Sequence, residues 1–266
     1  MELSFRALAH GLPLLILVLV GYWMGSGLTQ YVSVGDVITE KDLSGFSWAH
    51  ADGRVFNWHP VFMTFGFVVC SSQAALAYIS LPFSHDINKR IHLSLHTLGL
   101  VSAVTGAIAV FRFHNEHSIT NLYSLHSWLG LLTVILFLGH YVVSFYVFFY
   151  PGAQQPVRAQ VNPFHIGLGI GILGLVFLTA CTGILEKLSF NASCNVTGTL
   201  NGNQVKGFMA ADCVLGNTIG LLLAFTFATL AVTIWLSKHK PEPFLEGAES
   251  APLISGGQKK DHYARG

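Results

Sequence analysis

Four histidines in this 266-residue sequence have the type and spacing to do chemistry: His59 in FNWHP, His92 in KRIHLSLH, His126 in YSLHSW and His165 in NPFHIG. Each stands in the first turns of a long apolar run, so each imidazole enters hydrocarbon near one face of a membrane. Neutral imidazole keeps a donor and an acceptor that lipid cannot satisfy, so such a side chain turns to the interior of a bundle and takes a partner, commonly a metal. Consecutive helices run antiparallel, and their beginnings alternate between faces. His59 and His126 therefore share one side, and His92 and His165 the other. Two histidines at one depth, with no carboxylate or cysteine beside them, suit the iron of a planar macrocycle, which needs two axial nitrogens. Zinc would want four ligands. Iron closed on both axial positions moves electrons, and its reaction partners dock at the two faces.

The elements that must position these residues follow from composition. The chain is 52% hydrophobic and 10% charged, against about 25% charged in average soluble domains, which makes it an integral membrane protein in contact with lipid. A formal net charge of +1 excludes a nucleic-acid partner, since duplex binding needs a concentrated basic face. Six apolar spans, roughly 7 to 28, 57 to 81, 91 to 112, 122 to 149, 163 to 185 and 214 to 236, are each long enough to cross a core of ~30 Å as a helix. The first resembles a signal peptide, but its length and the absence of a small-x-small cleavage site before Ser26 favour a retained span. The expected fold is all-α, with six transmembrane helices over residues 1 to 236. Spans two to five form a central four-helix bundle around the two sites. Glycines at 66, 99, 106, 130, 167, 169, 171 and 174 would let backbones approach a flat ring, or simply one another.

Short-loop Lys and Arg counts set the orientation. Lys89 and Arg90, Arg158, and Lys238, Lys240, Lys259 and Lys260 lie on one side, which is read as cytoplasmic, with both termini there. The opposite loop 186 to 213 holds the acceptor patterns Asn191-Ala-Ser193 and Asn195-Val-Thr197, and Cys194 with Cys213. N-glycans and a disulfide belong in a lumenal or extracellular compartment. Cys70 and Cys181 sit inside spans as small packing residues. The tail, 237 to 266, is rich in Pro, Gly and charge and reads as disordered and cytoplasmic. Within it Glu249, Leu253 and Ile254 form an acidic dileucine pattern, which favours endosomal, lysosomal or vacuolar, or secretory-vesicle membranes over the plasma membrane.

FNWHP, YSLHSW, the PGAQQPVRA segment before His165 and GILEKL after the fifth span resemble the cytochrome b561 family over about Phe56 to Trp235. The resemblance implies two b haems, with His59 and His126 holding the outer one and His92 and His165 the cytoplasmic one. It implies an oxidoreductase that passes electrons from cytoplasmic ascorbate to a monodehydroascorbate radical or a ferric chelate, in a homodimer. Lys89 and Arg158 match the family's ascorbate-contacting positions, with Arg90 as a helper, although positive charge here is also what topology alone demands. His114 matches the family's non-cytoplasmic substrate histidine. Asn121 and Tyr123 stand close by, and Tyr123 serves equally as an interfacial anchor.

Two further histidines compete. His96 lies one turn from His92 on the same face. His140 lies 14 positions after His126, ~21 Å deeper at 1.5 Å per residue, the spacing by which one helix ligates two haems. A partner helix with the same pair is missing, because Gln73 and Gly106 stand at the corresponding positions after His59 and His92. His140 is therefore expected to make a buried hydrogen bond. The alternative function is a proton-coupled metal or solute transporter with relay histidines. Such proteins carry coupling carboxylates near the midplane, yet spans two to five contain no Asp or Glu before Glu186 at the end of the fifth.

Overall fold

In the computed structural model, residues 2–238 are described apart from Gly27 and Thr29; the dileucine pattern and nearly all of the tail lie outside the described residues. Among the described residues six helical segments are long and apolar enough to cross a membrane, as expected. These are α1 (Glu2–Gly25), a composite second span (Gly53–Ser80), α4 (His85–Glu116), α5 (Leu125–Ser144) with its continuation to Phe149, α6 (Gln155–Phe190) and α7 (Ala211–Lys238). The second span runs from a 3-10 turn into α2 (Trp58–Met63), a π-helical stretch Thr64–Cys70 and α3 (Ser71–Ser80). Another π-helical turn, Phe145–Phe149, closes α5. Such turns re-aim a helix face and recur at functional sites.

The inner bundle consists of two helix pairs, the second span on α4 and α5 on α6. Gly66 and Gly99 let the first pair touch backbone to backbone, since a Cβ at Gly66 would come 2.6 Å from the Gly99 carbonyl oxygen. These two glycines thus join helix to helix. The pairs meet at mid-depth through Phe67 and Phe137, whose ring centres are 5.0 Å apart. α1 and α7 pack together and flank the bundle, with Ile16, Val20, Trp23, Ile219, Leu223 and Leu230 among the buried residues of the single large core. Leu131, Ile135, Leu138 and Val142 of α5 are exposed, as a lipid-facing stripe should be.

Two helices outrun their apolar spans. α6 begins at Gln155, two turns before the hydrophobic run, with Pro156 in its first turn, where a missing N–H costs nothing. The loops at the His59 and His126 end of the bundle add structure that the helical pattern does not announce. β1 (Gln30–Val34), β2 (Val37–Lys41), β3 (Val196–Leu200) and β4 (Asn203–Phe208) form one sheet in that order, with β2 and β3 parallel and the other pairs antiparallel. Ile38, Val196 and Ala210 form its buried centre. The Cys194–Cys213 disulfide, expected from sequence, ties this sheet to the start of α7.

Candidate functional site

The four histidines fall into two pairs at opposite ends of the inner bundle, and each pair bridges the two helix pairs. His59 is the second residue of α2. Its approach is set by buried Asn57, whose Nδ2 donates to the carbonyls of Leu43 at 2.7 Å and Gly45 at 2.8 Å. Pro60 fits the first helical turn that follows. His126 is the second residue of α5, where Ser124 and Ser127 form a reciprocal capping box. Glu186 of α6 fastens the same loop, accepting from the Tyr123 hydroxyl at 2.7 Å and from Ser124 Oγ at 2.8 Å. Partial burial, and then the Glu186 carboxylate, push the Tyr123 phenol up to about 12, so it remains a protonated donor. Gly183, one turn before Lys187 on α6, makes room for the imidazole: a Cβ there would come 2.7 Å from His126.

Each of the four rings is oriented through Nδ1. His59 Nδ1–H donates to the Gly106 carbonyl at 3.0 Å, His126 to Thr179 at 2.9 Å and His92 to Ala74 at 2.8 Å. A carbonyl can only accept, which puts the proton on Nδ1 and leaves the Nε2 lone pair for a metal. His165 Nδ1 meets the Ser144 hydroxyl at 2.9 Å, which can accept in the same way. The ring centres of His59 and His126 are 6.1 Å apart, and those of His92 and His165 are also 6.1 Å apart. A metal bonded to both Nε2 atoms at about 2 Å holds two imidazole centres ~6 Å apart. The residues present therefore fit iron with two axial nitrogens at either end. Among the described residues no group of three or more His, Cys, Asp or Glu is arranged to hold a metal ion.

The competing histidines occupy a different geometry. His140 stacks on His165 with centres 4.6 Å apart and planes 13° from parallel, and His96 meets His92 at 4.6 Å. Neither distance admits an iron between the rings. The hydrogen bond expected of His140 is replaced by this stack; among the described residues its side chain makes none.

Lys89, in the first turns of α4, lies 5.7 Å from the centre of the Phe149 ring, and the adjacent Phe148 lies 5.2 Å from His165. That brings Lys89 beside the turn leading to Arg158 in the first turn of α6; Arg158 and Arg90 are exposed. At the other end the His114 ring lies 6.3 Å from Tyr123. Asn121 Nδ2 donates to Asn115 Oδ1 at 2.9 Å, so Asn121 and Tyr123 are both engaged. The His114 imidazole makes no hydrogen bond among the described residues. Asn191 is buried and donates to Asp212 Oδ2 at 3.3 Å, and buried Ser193 donates to the same oxygen at 2.7 Å. Asn195 is exposed.

The fold defines a multi-pass helical membrane protein with a pair of facing imidazoles at each end of its inner bundle. Residues 58–191 match the model of the eukaryotic cytochrome b561 family. The chain is 38% identical over 200 residues to a probable ascorbate-specific transmembrane electron transporter 2 of Oryza sativa subsp. japonica, covering 75% of this chain and 80% of that protein. It is 40% identical over 207 residues to a lysosomal membrane ascorbate-dependent ferrireductase, CYB561A3, of Mus musculus, covering 75% and 81%. With a transmembrane ascorbate ferrireductase 2 of Arabidopsis thaliana it shares 38% over 170 residues, 64% of this chain and 70% of that one. The chain belongs to the cytochrome b561 family, and its resident cofactor is b-type haem.

Sequence reasoning missed the groups that orient the rings. Gly183 and Glu186 both stand in GILEKL, and their register with His126 on a neighbouring helix was the only available signal. Gly106, Thr179 and Ala74 act through backbone carbonyls, which no side-chain pattern marks.

Proposed function

We propose that this protein carries electrons from ascorbate at the cytoplasmic face to an acceptor at the opposite face. Two b haems serve it, one between His59 and His126 and one between His92 and His165. The observation that carries this reading is the equal 6.1 Å spacing of the two imidazole pairs at opposite ends of one bundle. When bound between these histidines, each haem would supply a one-electron iron couple. The chain's own residues do the rest. The Nδ1 hydrogen bonds keep each Nε2 free and aimed. Lys89 and Arg158, helped by Arg90, attract the ascorbate monoanion and donate to its enediol oxygens. On the other side the free His114 imidazole meets a ferric chelate or a monodehydroascorbate radical, within a rim made rigid by Tyr123 on Glu186 and Asn121 on Asn115.

Support comes from relatives named for ascorbate-dependent electron transfer and ferric reduction in plants and animals. The lysosomal relatives and the dileucine pattern favour an endosomal or lysosomal membrane with cytoplasmic termini. Within the six spans, carboxylates stand only at helix ends, which argues against a transporter with midplane coupling groups. Purified protein supplied with haem is expected to show a b-type spectrum with two haems per chain. Ascorbate-loaded vesicles containing it should reduce an external ferric chelate. A colourless preparation would sink this reading and return the histidines to proton-coupled transport.

The same topology makes a prediction for the outer loop. Asn195 is the acceptor for an N-glycan, because its side chain is exposed, whereas the Asn191 pattern is folded inward onto Asp212. Asn195→Gln should abolish the gel shift given by glycosidase treatment, and Asn191→Gln should leave it. Loss of the shift in Asn191→Gln alone would reverse the assignment.

A further inference from the structure

Lys187 ends the Glu-Lys step of GILEKL, and the function described above does not use it. It lies one turn beyond Gly183 on α6, on the face that cushions His126. Its ammonium is 5.2 Å from the centre of the Phe56 ring and 5.7 Å from that of Trp23. The Phe56 ring in turn lies 6.2 Å from the ring of His59. The side chain is partly buried, and no carboxylate among the described residues comes within ion-pairing distance of it. The arginines at the same end differ: Arg54 pairs with Asp52 at 2.7 Å and Arg112 with Glu116 at 2.7 Å. Asp212, buried in the first turn of α7, attracts Lys187 electrostatically from beyond ion-pairing distance; one of its oxygens accepts from Ser193 and Asn191, and the other has no hydrogen-bond partner among the described residues.

A cation withdrawn among aromatic rings is poorly compensated by π faces alone and calls for an anion in the same low-dielectric region. Asp212 attracts Lys187 only from a distance, and an anion held next to His59 and His126 would give the ammonium a contact partner. We infer that Lys187 is the counter-cation for a haem propionate at the outer site, an inference that rests on the outer haem held by those two histidines. Lys187 both anchors that haem and raises its reduction potential. A nearby positive charge disfavours the ferric state, which carries one more positive charge than the ferrous state. A raised potential at the outer site favours the arrival of an electron there, in the direction that a path outward from ascorbate takes.

The test is a spectroelectrochemical titration of the purified holoprotein and its variants. The outer component is first identified as the one missing from His126→Ala. If that variant lacks neither component, the haem assignment fails by itself, independently of Lys187. Given the assignment, Lys187→Met is expected to shift the outer midpoint to lower potential and leave the inner one in place. Lys187→Arg should keep the outer midpoint close to that of the parent. Loss of the outer haem from Lys187→Met with retention in Lys187→Arg would support the same pairing. Full haem content with an unmoved outer midpoint in Lys187→Met would overturn it, as would equal loss of the outer haem from both variants, which would mark a packing role.

Discussion

Replacing His126 with alanine is expected to remove the outer haem and to lower haem content to about half, with the inner component spectrally intact. His59→Ala should do the same, and His92→Ala and His165→Ala should remove the inner haem alone. The two pairs are independent because they lie at opposite ends of the bundle with the Phe67 and Phe137 rings packed between them, 5.0 Å apart. Within a pair, one imidazole cannot close both axial positions, so either loss opens the site. His140→Ala should keep both haems and lose only its stack on His165, a contact of about 0.5 to 1.5 kcal/mol. The check is the haem-to-protein ratio together with low-temperature spectra. Removal of a haem by His140→Ala, with both retained in His165→Ala, would break this pairing.

Ascorbate dependence provides the second large effect. The double variant Lys89→Ala with Arg158→Ala should raise the ascorbate concentration needed for half-maximal reduction from the cytoplasmic side by roughly thirtyfold, at unchanged haem content. Charge-assisted contacts are worth about 1.5 to 3 kcal/mol each. Arg158 is exposed and Lys89 half-exposed, so screening brings the pair down to ~2 kcal/mol. The parent should also lose affinity as salt rises, and the double variant should lose much less. Equal ascorbate curves for parent and variant, measured in oriented vesicles, would assign Lys89 and Arg158 to topology alone.

Particular residues show how far the sequence could be read. The six spans were legible because crossing hydrocarbon demands about twenty apolar residues, and the observed helices Ser4–Gly25 and Ala211–Ser237 lie within a few residues of their apolar runs. Helix ends were less legible: α4 and α6 continue into polar sequence, where nothing in the hydropathy marks a stop. The sheet was not legible at all. β2 and β3 are five residues each and pair in parallel, Val37 with Thr199 and Ile38 with Leu200, although four of the six spans separate them in the chain. A register set by such distant partners leaves no local period.

The sequence by itself determined depth. A helix rises by a constant step per residue, so a histidine's place in its apolar run states how far it lies from a membrane face, and four such places suffice to sort the histidines into two levels. What the sequence could not determine was azimuth, the direction in which each ring faces around its helix. Only the tertiary structure decided that His165 faces His92 across 6.1 Å while His140 stacks flat against it. It alone turned the carbonyls of Gly106, Thr179 and Ala74 toward three Nδ1 atoms, set Gly183 beneath His126, and left Lys187 among rings with no carboxylate of the described residues in ion-pairing distance. Azimuth depends on how side chains of different helices interlock. That is a property of pairs of distant segments, and no single segment encodes it.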